Sequence, residues 1–306
     1  MKILVTGGAG YIGSRTTGVL VSEGHEVVVI DNLSTGKRER VGTSASLIRL
    51  DLSNRPGLRD GMRYLRPDLV LHLAASIRAD ESVLKPLEYY RNNVVNAVNL
   101  LDAMLEAGVK RLVFASSAAV YGDCWEMPIA ESAPLSPLNP YGATKMMVER
   151  MIEDMAVADP AFKYVVLRYF NVAGDSPSAS SALIPRAVRA AMSGDKVLVN
   201  GDGSSTRDFV HVEDVALANA IAIKHLSDGG SSAIMNCGTG VGTSVFQVLQ
   251  AVARITGRPV NCEMVEAVTE ISMSVASNDK LVAAGWAPRF AHIDDIVRSA
   301  WDEMKK

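Results

Sequence analysis

The chain is poor in cysteine: among 306 residues only Cys124, Cys237 and Cys262 are found, odd in number and widely spaced. That pattern excludes a disulfide framework and any CxxC metal or redox motif, and it fits a reducing, cytoplasmic setting with no metal site. No apolar run approaches the ~20 residues that cross a bilayer. Met1 leads directly into Lys2-Ile3-Leu4-Val5, so neither a membrane span nor a signal peptide is expected. An excess of one charge sign is also missing. Thirty-one Lys and Arg against 34 Asp and Glu leave a formal net charge of -3, which gives no footprint for nucleic acid or an anionic membrane. What is present is 48% hydrophobic and 21% charged residues, enough for one large or two interlocked soluble domains.

Short apolar, β-branched runs alternate with longer helical patterns through the first half of the chain. Strands are expected at Ile3–Thr6, Glu26–Ile30, Leu47–Leu50, Leu69–Leu73, Arg111–Ser116 and Tyr164–Tyr169. Several are apolar on both faces, as in a parallel sheet covered by helices on each side. Helices are expected near 12–23, 57–65, 91–107 and 141–157, which makes the repeating unit βαβ with right-handed crossovers. After Asn171 the pattern loosens, and the small, polar, Pro-containing stretch 174–182 reads as a loop or hinge. Shorter elements follow: helices near 183–193, 213–226, 244–256 and 293–304, and a strand near 196–200. The fold class is therefore α/β, a doubly wound parallel sheet with a smaller C-terminal α/β region closing over its end. Residues 1–172, rejoined by about 207–237, make the first domain, and 173–206 with 238–306 make the second.

Residues 6–13 read Thr-Gly-Gly-Ala-Gly-Tyr-Ile-Gly between a strand and a helix. Gly7 and Gly10 permit a tight turn and a close backbone approach to phosphate, while Gly13 lets the helix pack closely. Tyr11 and Ile12 open the helix, whose first N–H groups face the anion. With Asp31 ending the second strand at the required remove, this is a dinucleotide-binding (Rossmann) fingerprint. The Asp31 carboxylate accepts from ribose hydroxyls and repels a 2′-phosphate, which selects NAD over NADP. Asp51-Leu52 follows the third strand, where the carboxylate either meets the adenine amino group or serves as a turn or helix-cap aspartate.

The fifth strand ends in Ser116-Ser117, and Tyr141-Gly-Ala-Thr-Lys145 opens a later helix. Residues four apart on a helix share one face. A phenol of ordinary pKa ~10 is a poor base at neutral pH. A nearby lysine ammonium and the positive nicotinamide favour its phenolate, and Ser117 hydrogen-bonds the same substrate oxygen. The catalytic set read here is Ser117, Tyr141 and Lys145.

These motifs, taken in order, resemble the extended short-chain dehydrogenase/reductase family, and within it the UDP-galactose (UDP-glucose) 4-epimerases. The resemblance is carried further by Asp31-Asn32-Leu33-Ser34, His72-Leu73-Ala74-Ala75, Lys85-Pro-Leu-Glu-Tyr-Tyr-Arg-Asn-Asn93, Leu167-Arg-Tyr-Phe-Asn171 and Arg207-Asp-Phe-Val-His-Val212. It implies that Tyr141 takes the proton of a sugar 4-hydroxyl while C4 gives hydride to NAD. The 4-keto sugar then turns and receives the hydride back on its other face. It also implies cofactor contacts at Asn32, Leu73, Ala74, Ala75, Asn92, Ser116 and Tyr169. On the substrate side it implies contacts at Asn171, Leu183 and Arg207, the last as a pyrophosphate clamp; a surface ion pair with Asp208 or Asp214 is the competing reading. Ala118-Ala119 stand where related dehydratases carry an acid, which argues for simple redox at C4.

The sequence departs from the family on the nucleotide side. Ala182 precedes Leu183-Ile184-Pro185 where asparagine is usual, and Asn200 stands where an aromatic packs on uracil. Glu266-Ala-Val-Thr-Glu270 replaces a pyrophosphate-gripping Arg-x-Gly-Asp segment, which weakens the hold on a diphosphate. Which nucleotide is bound is left open by these changes. Two other readings compete: a net sugar-nucleotide oxidoreductase or dehydratase, and an NAD(H)-binding regulatory protein without turnover. The helices at 91–107 and 141–157 have apolar faces with Val94, Val98, Leu101, Leu105, Met147 and Met151; the resemblance implies a homodimer through them, and burial of the same faces within one monomer is the competing reading.

Overall fold

The computed structural model describes residues 1–175, 182–266 and 271–306. Most of the expected loop 174–182, and Ala267–Glu270 of the acidic segment, lie outside the described residues. Strands β1 (Lys2–Thr6), β2 (Glu26–Asp31), β3 (Ser46–Arg49), β4 (Leu69–His72), β5 (Arg111–Ser117) and β6 (Lys163–Tyr169) match the six expected ones within a residue or two. The strand expected near 196–200 is β8 (Lys196–Asn200). Six further strands were not expected: β7 (Asn171–Ala173), β9 (Thr206–His211), β10 (Ala233–Cys237), β11 (Gly242–Ser244), β12 (Asn261–Val265) and β13 (Met273–Ser274). The helices are α1 (Tyr11–Ser22), α2 (Arg55–Leu65), α3 (Ala79–Leu84), α4 (Pro86–Tyr89), α5 (Asn96–Ala107), α6 (Pro140–Ala158), α7 (Leu183–Ser193), α8 (Val212–Ser227), α9 (Val245–Thr256), α10 (Asp279–Ala283) and α11 (Ile293–Met304).

The main sheet has seven strands in the order β10-β6-β5-β4-β1-β2-β3, and every pairing in it is parallel. Its inner strands are apolar on both faces because both are covered, while the edge strand β3 is largely exposed. Ile3, Val5, Val29, Leu71, Val113 and Leu167 pack toward α1 and α8. Leu4, Val28, Val70, Phe114 and Val166 pack toward α2, α5 and α6. The chain runs outward in one direction from β1 and in the other from β4. These two strands are neighbours, so the order reverses between them and a crevice opens beyond their carboxyl ends. This doubly wound sheet is the fold class read from the sequence.

The C-terminal elements build a second apolar core, in which Val197 and Val199 of β8 meet Val188, Val248, Val252, Ile296 and Val297 from α7, α9 and α11. Asp214 pins this end of the chain to α8. Its fully buried carboxylate accepts from Arg289 N at 2.8 Å and Phe290 N at 3.0 Å. Replacing it with alanine leaves two half-buried amides without their acceptor, at about 1–2 kcal/mol each. Asp214→Ala is therefore expected to lower Tm by roughly 4–8 °C in a thermal melt.

Two expectations need correction. The helix placed at 91–107 begins earlier, at Pro86, and passes through a wide π-type turn at Tyr90–Val95 before α5. Such a turn inserts an extra residue and commonly marks a functional site; here it lets the adjacent Asn92 and Asn93 both reach Ser76. The second correction concerns the apolar face. Leu101 is buried in the core against α2 and the sheet, and Met151 packs against that core, so neither belongs to an open surface. Val98, Leu105 and Met147 are exposed.

Candidate functional site

The glycine loop joins β1 to α1 at the crevice. Gly7 has φ +74°, and a Cβ there would lie 2.7 Å from Ala74 N, so only glycine fits between the β1 and β4 ends. A Cβ on Gly13 would lie 2.2 Å from Gly7 O. Gly13 thus serves the approach of helix to loop, more than the helix-to-strand packing expected of it. A Cβ on Gly10 would meet only Gly7 O, at 3.2 Å. No side chain caps α1, and its first turn carries no acid. Its first amides are therefore open to an anion, with a positive dipole end behind them. The phenol of Tyr11 is buried beside Asp175, Arg15 and Glu213, so this residue offers the loop its amide.

Asp31 is buried at the end of β2, accepting from Ala9 N at 3.0 Å and Leu33 N at 2.8 Å. It braces the glycine loop from outside and stands one strand over from it. Asp51 accepts from Asn32 Nδ2 at 2.6 Å and Ser53 N at 2.8 Å, and these bonds hold its carboxyl below the usual range. It makes a turn; the N-cap of α2 is Asn54. The cradle, the open helix start and the ribose-side carboxylate together fit NAD.

At the β4 end, His72 Nδ1 is 2.7 Å from Thr6 Oγ1, and its ring stacks on Phe114. Burial, with Lys145 nearby, pushes His72 down to about 3, so its imidazole is neutral. Leu73, Ala74 and Ala75 follow it past the crevice. Asn92 donates to Ser76 Oγ at 3.0 Å. Asn93, which sequence reasoning passed over, ties this segment to α6: its amide donates to Ser76 O at 2.9 Å and Thr144 Oγ1 at 3.0 Å.

The structure brings Ser117, Tyr141 and Lys145 together. Ser117 is the last residue of β5, and α6 is capped by Asn139, whose side chain accepts from Gly142 N at 2.9 Å. A Cβ on Gly142 would lie 2.5 Å from Ala119 O, so glycine lets this helix start press against the strand end. Ser117 hydrogen-bonds the Tyr141 phenol and favours its ionisation, while burial opposes it more strongly and raises the phenol above its ordinary value. Lys145 is buried, donates to Ala115 O at 2.7 Å, and lies 6.0 Å from the Tyr141 ring centroid and 5.0 Å from that of Phe114. Burial lowers its ammonium to about 8, against the opposing pull of Glu149.

Ser116 points the other way, its hydroxyl donating to Glu149. Tyr169 is buried, with its hydroxyl on Asn219 Oδ1 at 2.7 Å. Asn171, Ala182, Leu183, Asn200 and Arg207 line one cavity of about 270 Å³ beyond the sheet end. The carboxylate of Asp208 is taken by Thr239, Gly240 N and Ala276 N, and that of Asp214 by Arg289 N and Phe290 N, all at other points of the fold.

A doubly wound parallel sheet, a glycine cradle at its switch point and a Ser/Tyr/Lys cluster beside it define a dinucleotide-dependent protein of the extended short-chain dehydrogenase/reductase type. Residues 3–238 match the NAD dependent epimerase/dehydratase family, and the chain belongs to it. It is 41% identical over 317 residues to a UDP-glucose 4-epimerase of Azospirillum brasilense, covering 98% of this chain and 90% of that protein. Among solved structures it resembles the UDP-glucose-4-epimerase of Stenotrophomonas maltophila with bound NAD and formylated UDP-arabinopyranose. The TM-score is 0.94 and the identity 35%, over 100% of this chain and 98% of that one. It also resembles the UDP-glucose 4-epimerase of Brucella ovis in complex with NAD, with TM-score 0.93 and identity 36%, over 98% and 97% of the two chains.

Proposed function

We propose that the chain is an NAD-dependent sugar-nucleotide 4-epimerase of the UDP-glucose/UDP-galactose type. The observation that carries the reading is the meeting of Ser117, Tyr141 and Lys145 at the sheet end, with Ala118 and Ala119 next in the chain and unable to transfer a proton. The named relatives support it. NAD, when bound, supplies reversible hydride exchange at C4 of the sugar. Tyr141 takes the proton of the 4-hydroxyl and gives it back, and Ser117 hydrogen-bonds the same oxygen. Lys145 holds positive charge next to the phenol and favours the phenolate. The amides of Tyr11, Ile12 and Gly13 hold the pyrophosphate of NAD, Asp31 and Asn32 its ribose, and Asp51 and Leu52 its adenine. Asn171, Leu183 and Arg207 hold the nucleotide sugar in the cavity they line.

Incubation with UDP-glucose, UDP-GlcNAc and UDP-glucuronate, followed by chromatographic separation of the sugars, tests this. A C4 epimer without net NADH is expected from at least one of them; no epimer from any would end the proposal. Asp31→Ala removes the ribose acceptor and the brace on Ala9 N. It is expected to weaken NAD binding about 10–100-fold, as a lost charge-assisted bond of about 1.5–3 kcal/mol does, and to narrow the preference over NADP in calorimetry.

Three coarser features belong to the same proposal. Residues 1–172 with about 207–237 act as the NAD-binding domain, and 173–206 with 238–306 as the substrate domain. The exposed Leu87, Val95, Val98, Leu105 and Met147 support a homodimer, which sedimentation would test. Three free thiols suit a cytoplasmic setting; among the described residues no helix is long and apolar enough to cross a membrane.

A further inference from the structure

Behind the Ser/Tyr/Lys cluster lies a polar network that the proposed reaction does not use. Glu149 sits one helical turn beyond Lys145 on α6 and is buried, 2% exposed. Its carboxylate takes Arg168 Nη2 at 2.6 Å and Arg168 Nε at 3.1 and 3.2 Å, and it also accepts from Ser116 Oγ. Arg168, from β6, is equally buried, and its remaining nitrogen donates to Tyr121 OH at 2.9 Å and Glu131 O at 3.0 Å. Tyr121 in turn donates to Asn236 Oδ1 at 2.6 Å, on β10. Each guanidinium nitrogen has a partner, so the group is built to hold one arrangement.

We infer that Glu149, clamped by Arg168 and Ser116, is the positioning residue that locks the Ser117 strand end to the Tyr141/Lys145 helix and supplies the counter-charge for Lys145. The inference rests on the acid–base reading of Tyr141 and Lys145 given above. Ser116 is covalently next to Ser117, and Glu149 shares a helix face with Tyr141 and Lys145, so one carboxylate ties both halves of the cluster. The described groups facing Lys145 are Tyr141 and Glu149 on α6 and His72 on β4, with Arg168 on β6 behind Glu149 and Glu131 beyond it, paired at 3.7 Å with Lys280. His72 is neutral, so Lys145 and Arg168 are two buried cations that share one adjacent buried carboxylate. Arginine does not give up its proton in proteins, so when the carboxylate is neutralised Lys145 is the group that must.

The test compares wild type, Glu149→Gln and Glu149→Asp by two readouts. The first is the ¹³Cε chemical shift of Lys145 against pH, which needs no turnover; the second is the pH profile of epimerisation. In Glu149→Gln the Lys145 midpoint is expected to fall by at least about one pH unit from near 8. The alkaline limb of kcat should fall with it, kcat at pH 8 dropping roughly 5-fold and KM changing less than about 2-fold. Glu149→Asp, which keeps the charge, should restore the limb. Because Arg168 would lose its partner in Glu149→Gln, a Glu149→Gln/Arg168→Met variant is measured as well. Its net buried charge equals that of wild type again and it should fold, but residue 149 then accepts from Ser116 Oγ through a neutral amide in place of a clamped carboxylate, so kcat stays lowered. An unmoved Lys145 midpoint in Glu149→Gln, or a Tm loss with an unchanged limb, would overturn the inference. If wild type turned over no nucleotide sugar while the midpoint still moved, the epimerase proposal would fall and the role of Glu149 beside Lys145 would stand.

Discussion

Tyr141→Phe is expected to lower kcat for 4-epimerisation by about 10²–10⁴-fold, the usual contribution of a positioned acid–base group. The substitution removes one oxygen and leaves the ring, so the packing of α6 against Ala119 is preserved. Substrate KM should change little, because the phenol acts on a proton in transit more than on the bound sugar. The structure sharpens the reason for the size of the loss. Burial raises the phenol, Ser117 pulls it down, and Lys145 stands 6.0 Å from the ring with an ammonium lowered to about 8. A base that is itself hard to ionise depends on neighbours that are difficult to replace. Initial rates with UDP-glucose, together with NAD content measured on the same preparation, check the prediction. A variant that keeps more than about a tenth of wild-type kcat would place the proton transfer elsewhere. Unchanged NAD content separates lost chemistry from a lost cofactor.

How much of this was legible in the sequence follows from what each element depends on. The six leading strands were readable because each is a short apolar run bounded by turn residues, and a sheet covered on both faces leaves no polar alternation to confuse the pattern. β10, Ala233-Ile-Met-Asn-Cys237, completes the same sheet but was not expected as a strand. Its Asn236 breaks the apolar run, and only the fold reveals that this side chain is satisfied by Tyr121, Ile129 O and Ser277 O. β9 was missed for a related reason: Arg207, Asp208 and His211 make it look like a loop until three backbone amides and Thr239 Oγ1 close on the Asp208 carboxylate. The Tyr141/Lys145 spacing alone is common on helix surfaces; the pair was visible because that spacing followed a glycine loop and a strand ending in Ser116-Ser117. Glu149 and Arg168 were not, since a glutamate beside Arg150 on a helix reads as solvated surface. Their burial is decided by strands distant in sequence. Asn93 was overlooked beside Asn92 because a regular helix would have turned one of the two away. The π-type turn that turns both inward has no signature in the sequence.

Gly13→Ala is expected to abolish tight NAD binding, at a cost of at least about 3 kcal/mol, or ~10²-fold in Kd. The added methyl would sit 2.2 Å from Gly7 O and 2.7 Å from Gly8 Cα, both backbone atoms, so α1 must move away from the loop or the loop must open. Either movement misaims the first amides of α1, which act on an anion only at hydrogen-bond distance and in line. The same overpacking should destabilise the chain without cofactor by about 1–3 kcal/mol. A matched control lies further along the same helix. Gly18 faces open space, and a methyl added there would have nothing within 4 Å of it. Gly18→Ala is therefore expected to leave NAD affinity unchanged and to stabilise the helix by roughly 0.5–1 kcal/mol. Isothermal titration of cofactor-stripped protein, paired with thermal melts, reads both effects. If Gly13→Ala bound NAD as wild type does, the pyrophosphate would not sit at the start of α1, and the assignment of the glycine loop as the cofactor cradle would have to be given up.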